Sequence, residues 1–356
     1  MSRHPNEFFI DQLRNAIANG IYGNAALLPS ERKLAADFNV GRSVVRNALR
    51  ELASEGIVAL IPHRGASVIN GSSNRAFRRF MFCCRKLSKV PSEMLALLSA
   101  VCVAAAAERA EVLVSFSDDY DVQLDVDEVA YRLQQGELQG VMIMEYCPPE
   151  TVQALYKHSI PFVIINQEAD YGGCSCRIDH RAVGRLAGAQ LVRSGCAHYG
   201  CVSGDLNTLM FKEMLAGFRG ALAEEDVIMD RRLVFQLLPT FSEESYRALV
   251  EFLRHAPLPL ALFAMRDVRA EFVYRACAEL NLRIPEDVSV IGYDNLSWSE
   301  AAECGLTTIR QPIAQMAAAA VKILKSWSQN NSEPESVIVP CELIKRSSIR
   351  NFDSVN

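Results

Sequence analysis

Arg42, Ser43, Arg46, Asn47 and Arg50 lie within nine consecutive residues that also hold Val45, Ala48 and Leu49, with Leu52 just beyond. On a helix turning about 100° per residue, the apolar four fall within one arc of about 100°, and the polar five occupy a separate arc of about 140° that contains no acid. Guanidinium, hydroxyl and amide groups donate to phosphate oxygens and base edges. Such a stripe can be no more than a solvated charged face. Opposite a strong apolar stripe and behind a tight turn, it has the chemistry of a helix laid in a DNA major groove.

The surrounding segments would hold that helix in place. Phe9, Leu13, Ile17 and Ile21 recur every fourth residue, with Ala16 beside them, and predict an amphipathic helix stopped by Gly20 and Gly23. In Leu28-Pro29-Ser30-Glu31-Arg32, Ser30 can cap a second helix with Leu34, Ala35 and Phe38 as its buried face. Asn39-Val40-Gly41 breaks it, and the third helix runs from near Arg42 to about Glu55, ahead of Gly56. Residues 57–69 read as two short strands around Pro62-His63-Arg64-Gly65, a wing whose tip meets phosphate or minor groove.

This segment resembles the GntR family of bacterial regulators. The resemblance rests on Leu28-Pro29-Ser30-Glu31-Arg32-Lys33-Leu34-Ala35, on Val40-Gly41-Arg42-Ser43-Val44-Val45-Arg46-Asn47-Ala48-Leu49-Arg50-Glu51-Leu52, on Glu55-Gly56-Ile57-Val58 and on Arg64-Gly65; it covers residues 8–69. It implies DNA contacts from Arg32, Arg42 and Arg46, and Gly41 stands where relatives often carry Ser or Thr. With the stripe and the wing, the expected DNA-binding set is Arg32, Arg42, Ser43, Arg46, Asn47, Arg50, His63, Arg64 and Gly65.

At 356 residues the chain is too long for one ordinary domain. Its net charge of -5 is uneven: residues 1–70 hold eight Lys/Arg against six Asp/Glu, and the remainder 29 against 36. That is the sign expected of a DNA-binding head on an acidic body. None of the eleven cysteines falls in a CxxC pair, so reduced, buried thiols are expected and no metal site. The first ten residues lack a signal peptide's apolar run, and the apolar stretch 94–107 is too short to span a bilayer and reads as a buried helix, which together suggest a cytoplasmic protein.

Asn70-Gly71-Ser72-Ser73-Asn74 reads as a flexible joint. After it, strand-like and helix-like segments alternate in two series, the rhythm of parallel βαβ units. In the first, strands near 80–84, 112–116, 140–144 and 162–165 alternate with helices near 92–108, 126–135 and 149–157. In the second, strands near 199–203, 234–237, 260–264 and 288–293 alternate with helices near 181–194, 209–224, 242–255 and 267–280. Two series imply two α/β lobes. Ligands of such folds sit beyond the carboxyl ends of the strands, here in a cleft between lobes.

The body resembles the effector-binding module of the LacI and galactose-repressor family, similar in turn to periplasmic sugar-binding proteins. The matching residues include Ile160-Pro161-Phe162-Val163-Ile164-Ile165-Asn166, Asp179 with Val183-Gly184, Val202-Ser203-Gly204 and Gly217-Phe218. The clearest are Pro285-Glu286-Asp287-Val288-Ser289-Val290-Ile291-Gly292-Tyr293-Asp294 and Leu306-Thr307-Thr308-Ile309-Arg310-Gln311-Pro312. The resemblance implies an effector site of Asn166, Thr208, Lys212, Arg266, Asp267, Asp294 and Gln311. There are departures: Arg85-Lys86-Leu87-Ser88 replaces a usual Asn-Pro-Phe loop, Lys212 an arginine, Arg266-Asp267 an Asn-Asp pair, and Asn166 an aspartate. Asp and Asn suit hydroxyl pairs, and Lys212 with Arg266 favours an anion, so a sugar, sugar acid or sugar phosphate is expected.

The expected architecture is a winged helix-turn-helix over 1–70, a linker at 71–77 and a two-lobed periplasmic-binding-protein-like (type I) domain over 78–356. Lobe 1 would take about 78–177 and 312–338, and lobe 2 about 178–311 and 339–350. A single head makes few base contacts, so a homodimer on a palindromic operator is expected. A ligand-responsive repressor without cofactor or membrane partner is the reading; an α/β enzyme or a binding protein that does not regulate DNA is the alternative. No phosphate-loop glycine pattern, nucleophile elbow or paired metal ligands support the enzyme.

Overall fold

A computed structural model describes residues 5–18, 21–22, 27–55, 57–61, 64–68, 77–85, 92–117, 124–144, 147–166, 173–237, 242–302 and 304–351. The head begins with helices α1 (Pro5–Ala18), α2 (Glu31–Asp37) and α3 (Arg42–Ser54), followed by strands β1 (Val58–Ile61) and β2 (Gly65–Val68). The strands pair antiparallel, Val58 opposite Val68 and Ile61 opposite Gly65, and Leu27 bridges to Ser67. Ser30 caps α2, its Oγ accepting from the Lys33 N–H at 3.3 Å, and Asn39 turns the chain towards α3 with φ 51. Phe9, Leu13, Leu34, Val45, Leu49, Leu52 and Val58 share one buried core. Ile21 departs from its expected place: α1 ends at Ala18, so the four-residue period no longer applies and Ile21 is 62% exposed. The joint at 70–74 and His63 lie outside the described residues.

Downstream come β3 (Arg79–Arg85), α4 (Ser92–Ala107), β4 (Glu111–Ser117), α5 (Val126–Gln134), β5 (Val141–Met144), α6 (Pro149–Lys157), β6 (Phe162–Ile165) and β7 (Ser175–Arg177). These are followed by α7 (His180–Val192), β8 (His198–Ser203), α8 (Leu209–Glu224), β9 (Val234–Gln236), α9 (Glu243–His255), β10 (Leu260–Ala264), α10 (Asp267–Glu279) and β11 (Val288–Asp294). The chain ends with α11 (Trp298–Ala301), β12 (Thr307–Arg310), α12 (Ile313–Asn330), β13 (Val337–Ile338) and β14 (Glu342–Ile344). Two compact units result, Met1–Arg177 with Ala314–Val337 and Ile178–Ile313 with Ile338–Asn356.

The α/β part of the first unit has the sheet order β13-β7-β6-β5-β3-β4. The second has β14-β12-β11-β10-β8-β9, with β14 antiparallel to β12 and the pairs from β9 to β12 parallel. In each, strand order reverses beside the first strand, between β3 and β5 and between β8 and β10, and such reversals open crevices at strand carboxyl ends. In the second unit α7 and α8 touch backbone to backbone: a Cβ on Gly184 would lie 2.0 Å from the Met214 carbonyl oxygen, and one on Gly217 1.9 Å from that of Arg181.

Helix α4 corrects an expectation. Of its described side chains only Leu97, Val101 and Ala105 are buried, a stripe one residue wide, while Val103 is 70% exposed and Phe116 on edge strand β4 is 44% exposed. A helix apolar all round gives no periodicity by which sequence could tell the covered side from the open one. Most cysteines are buried and none is in a disulfide, and burial pushes the Cys83 and Cys201 thiols up to about 12, so they stay protonated at neutral pH. Among the described residues, no helix is long and apolar enough to cross a membrane.

Candidate nucleic-acid interface and ligand site

On α3 the side chains divide as the arcs require: Val45, Ala48, Leu49 and Leu52 are buried, and Arg42, Ser43, Arg46, Asn47 and Arg50 are exposed. Arg32, Arg64 and Gly65 are exposed as well. Gly41 caps α3 with ψ 145 and no side-chain bond, and no acid lies in the first turn, so the first N–H groups keep their positive end for an outside acceptor.

The acid missing from the polar arc of α3 arrives from α2. Glu31 takes Arg46 bidentately, Arg46 Nη2 donating to Oε2 at 2.7 Å and Nε to Oε1 at 3.1 Å. Its carboxyl is held below the ordinary value by this hydrogen bond first, with Arg42 and Arg50 adding positive field. The pair is exposed and therefore screened by salt, so Arg46 can exchange a carboxylate for a phosphate or a base edge. Sequence reasoning missed Glu31 because its α3 arc included only residues of α3.

In the second unit, three of the seven expected ligand residues lie at or just past the carboxyl ends of neighbouring strands: Arg266 after β10, Asp294 at the end of β11 and Gln311 after β12. Arg266 Nε donates to Asp294 Oδ2 at 2.6 Å, and Gln311 Nε2 to Oδ1 at 2.6 Å. The Asp294 side chain is 1% exposed and that of Arg266 21%. Burial pushes the Asp294 carboxyl up from its usual range, against the opposing pull of Arg266. Arg266 (φ 145) and Asp294 (φ 127) both have backbone conformations that L-residues seldom adopt. Such conformations persist only where the surroundings hold them, and they cluster at ligand sites. Thr208 caps α8 and Lys212 lies one turn into it, both exposed, in the connection that leaves β8.

Asp267 is a correction. It is fully buried, with Oδ1 accepting from Thr308 Oγ1 at 2.7 Å and Oδ2 accepting from Ser299 Oγ at 2.6 Å and the Leu296 N–H at 2.9 Å. It holds the segment after β11 against β12 and has no face for a ligand. Asn166 belongs to the first unit, directly after β6, with φ 62; its Oδ1 is buried without a hydrogen-bond partner.

Sequence reasoning also missed Arg269, which is 4% exposed in the first turn of α10. Its Nε donates to the Leu237 carbonyl at 3.1 Å and its guanidinium lies 4.9 Å over the Phe211 ring. The buried face of α10 carries Ala270, Val273 and Ala276, and Arg269 sits four residues before Val273, so helical spacing could have placed it on that face.

Residues 5–68 match the sequence model of bacterial regulatory proteins of the gntR family, and residues 189–349 that of the periplasmic binding protein-like domain. The HTH-type transcriptional repressor PurR of Escherichia coli is 32% identical over 224 residues, 61% of this chain and 65% of PurR. The HTH-type transcriptional regulator DegA of Bacillus subtilis is 29% identical over 238 residues, 65% of this chain and 70% of DegA. Among solved structures, a LacI family regulator from Enterococcus faecium with bound ribose has a TM-score of 0.64 at 23% identity, covering 77% of this chain and all of that one. The transcriptional regulator CelR in complex with cellobiose has 0.64 at 21%, covering 97% of this chain and all of that one. The chain therefore joins a head that matches the gntR family model to α/β units of the periplasmic-binding-protein-like fold.

Proposed function

We propose that this chain, with its gntR-type head and periplasmic-binding-protein-like body, is a cytoplasmic ligand-responsive transcription regulator, acts as a repressor and catalyses no reaction. Residues 1–70 bind a palindromic operator, 71–77 form the linker, and 78–356 bind a small sugar-like effector and pair with a second copy. The observation that carries the reading is α3, whose exposed face presents Arg42, Ser43, Arg46, Asn47 and Arg50 while its opposite face is buried in the head's core. Repression is supported by the name of PurR, and a homodimer by the open apolar side of α4, where Val103 is 70% exposed. The effector reading is supported by the polar network of Arg266, Asp294 and Gln311 past the ends of adjacent parallel strands.

Fluorescence anisotropy with the promoter DNA of the chain's own gene tests the reading. With six to ten phosphates contacted, affinity should fall by about 10³ to 10⁵ between about 50 and about 200 mM salt. Absence of salt-sensitive binding would overturn it. Calorimetry against sugars, sugar acids and sugar phosphates tests the effector; binding by purines or amino acids alone would remove the sugar class.

A further inference from the structure

We propose that Arg269 makes the carboxyl-end region of β8 and β10 an oxyanion site, which takes a phosphoryl or carboxylate group carried by the effector. The proposal rests on the reading of the body as an effector-binding module and narrows its ligand class.

Among the described residues, Arg269 is a buried cation without a counter-ion in contact. Of its donors, Nε is used by the neutral Leu237 carbonyl, and the guanidinium plane is packed over Phe211. Neither Nη nitrogen has a hydrogen-bond partner among the described residues. The nearby carboxylates are committed elsewhere, Asp294 to Arg266 and Gln311, and Asp267 to Thr308, Ser299 and the Leu296 N–H. Burial and then the Arg266 charge push the Arg269 pKa down to about 10, which leaves it protonated at neutral pH in surroundings that disfavour its charge. A buried charge of this kind is stabilised when an opposite charge reaches it.

The geometry says where that partner would enter. A Cβ added to Gly204, directly after β8, would lie 2.7 Å from Arg269 Nη2 and 2.3 Å from the Phe211 ring. Nη2 thus lies against the bare backbone of the turn that leads into α8. That 16-residue helix starts at Leu209, and its N-cap Thr208 makes no side-chain cap bond, so its first N–H groups are open to an acceptor. Exposed Lys212 stands one turn further on. A guanidinium fork, unpaired helix N–H groups and an ammonium supply the donors that a tetrahedral phosphoryl or planar carboxylate group accepts from. If Arg269 served only to tie Leu237 to Phe211, its Nη nitrogens would add nothing to binding.

Calorimetry and thermal unfolding of the full chain, with inorganic phosphate, glucose 6-phosphate, gluconate and glucose as probes, decide the matter. We expect at least one of the three anions to bind saturably and more tightly than glucose. Arg269→Met should weaken that binding by about tenfold or more, while the unfolding temperature without anion stays the same or rises because a buried unpaired charge is gone. Should Arg269→Met fail to fold, Arg269→Lys carries the test: it keeps the charge without the fork, and unchanged anion affinity would overturn the proposal. Equal anion binding by wild type and Arg269→Met also overturns it. Glucose binding without any anion preference overturns it while leaving the effector reading intact, and failure of all four probes counts against both.

Discussion

The head and the second α/β unit place their polar side chains in opposite ways. The exposed residues of α3 come from one continuous helix and are not required by the core beneath, so a partner can meet them without disturbing the fold. In the second unit the polar groups are brought together from residues 17 to 41 positions apart, Asp294 with Gln311 and Asp267 with Thr308, and are largely buried. On the proposed reading, binding and stability are separable in the head and lie close together in the body, where Arg266 is the neighbour in sequence of Asp267, which holds the segment after β11 against β12.

The sharpest test of that contrast is Asp267→Ala. It removes the acceptor of one backbone N–H and two buried hydroxyls, and should cost about 3 kcal/mol or more of stability in urea unfolding. A loss below about 1 kcal/mol would break the contrast. Next, Arg46→Ala should weaken operator binding by about 1 to 3 kcal/mol if Arg46 reads a base, with stability changed by no more than about 0.5 kcal/mol; unchanged affinity for the true operator removes it from the contacts. Arg50→Ala should weaken binding to all sequences alike and lower the salt slope by about 1 if Arg50 meets a phosphate. A sequence-dependent loss would make it a reader instead.

The smallest effect belongs to Asp287, whose carboxyl is held at about 2, chiefly by the hydrogen bond from Arg283. The ordinary value is near 4. A lowered folded value means that the contribution is complete above about pH 4 and is lost as pH falls towards about 2. Asp287→Asn should therefore narrow the difference in stability between pH 5 and about pH 2 only slightly, because the pair is exposed.

Most elements of the body were legible because parallel strands buried on both faces read as short apolar runs, as at Leu260–Ala264, and the helices between them carry clear boundaries. The exposed polar stripe of α3 was legible because both its arcs lie on one helix. What escaped was whatever required two elements at once. Glu31 reaches Arg46 only when α2 and α3 pack together. Asp267 and Arg266 are adjacent in sequence, yet one is sealed beneath β12 and the other partly open, a difference that position on a strand end does not reveal.

Local periodicity and capping chemistry by themselves determined the helices of the head, the alternating order of the body and the polar face of α3, because these depend on neighbours within a few residues. Tertiary structure alone decided which polar groups remain available. Whether a side chain is open to a ligand depends on acceptors and donors brought from distant strands, as Asp294 accepts from Arg266 while, among the described residues, no carboxylate accepts from Arg269. Hydrogen bonds and desolvation act over a few ångströms of space, and separation along the chain does not limit them.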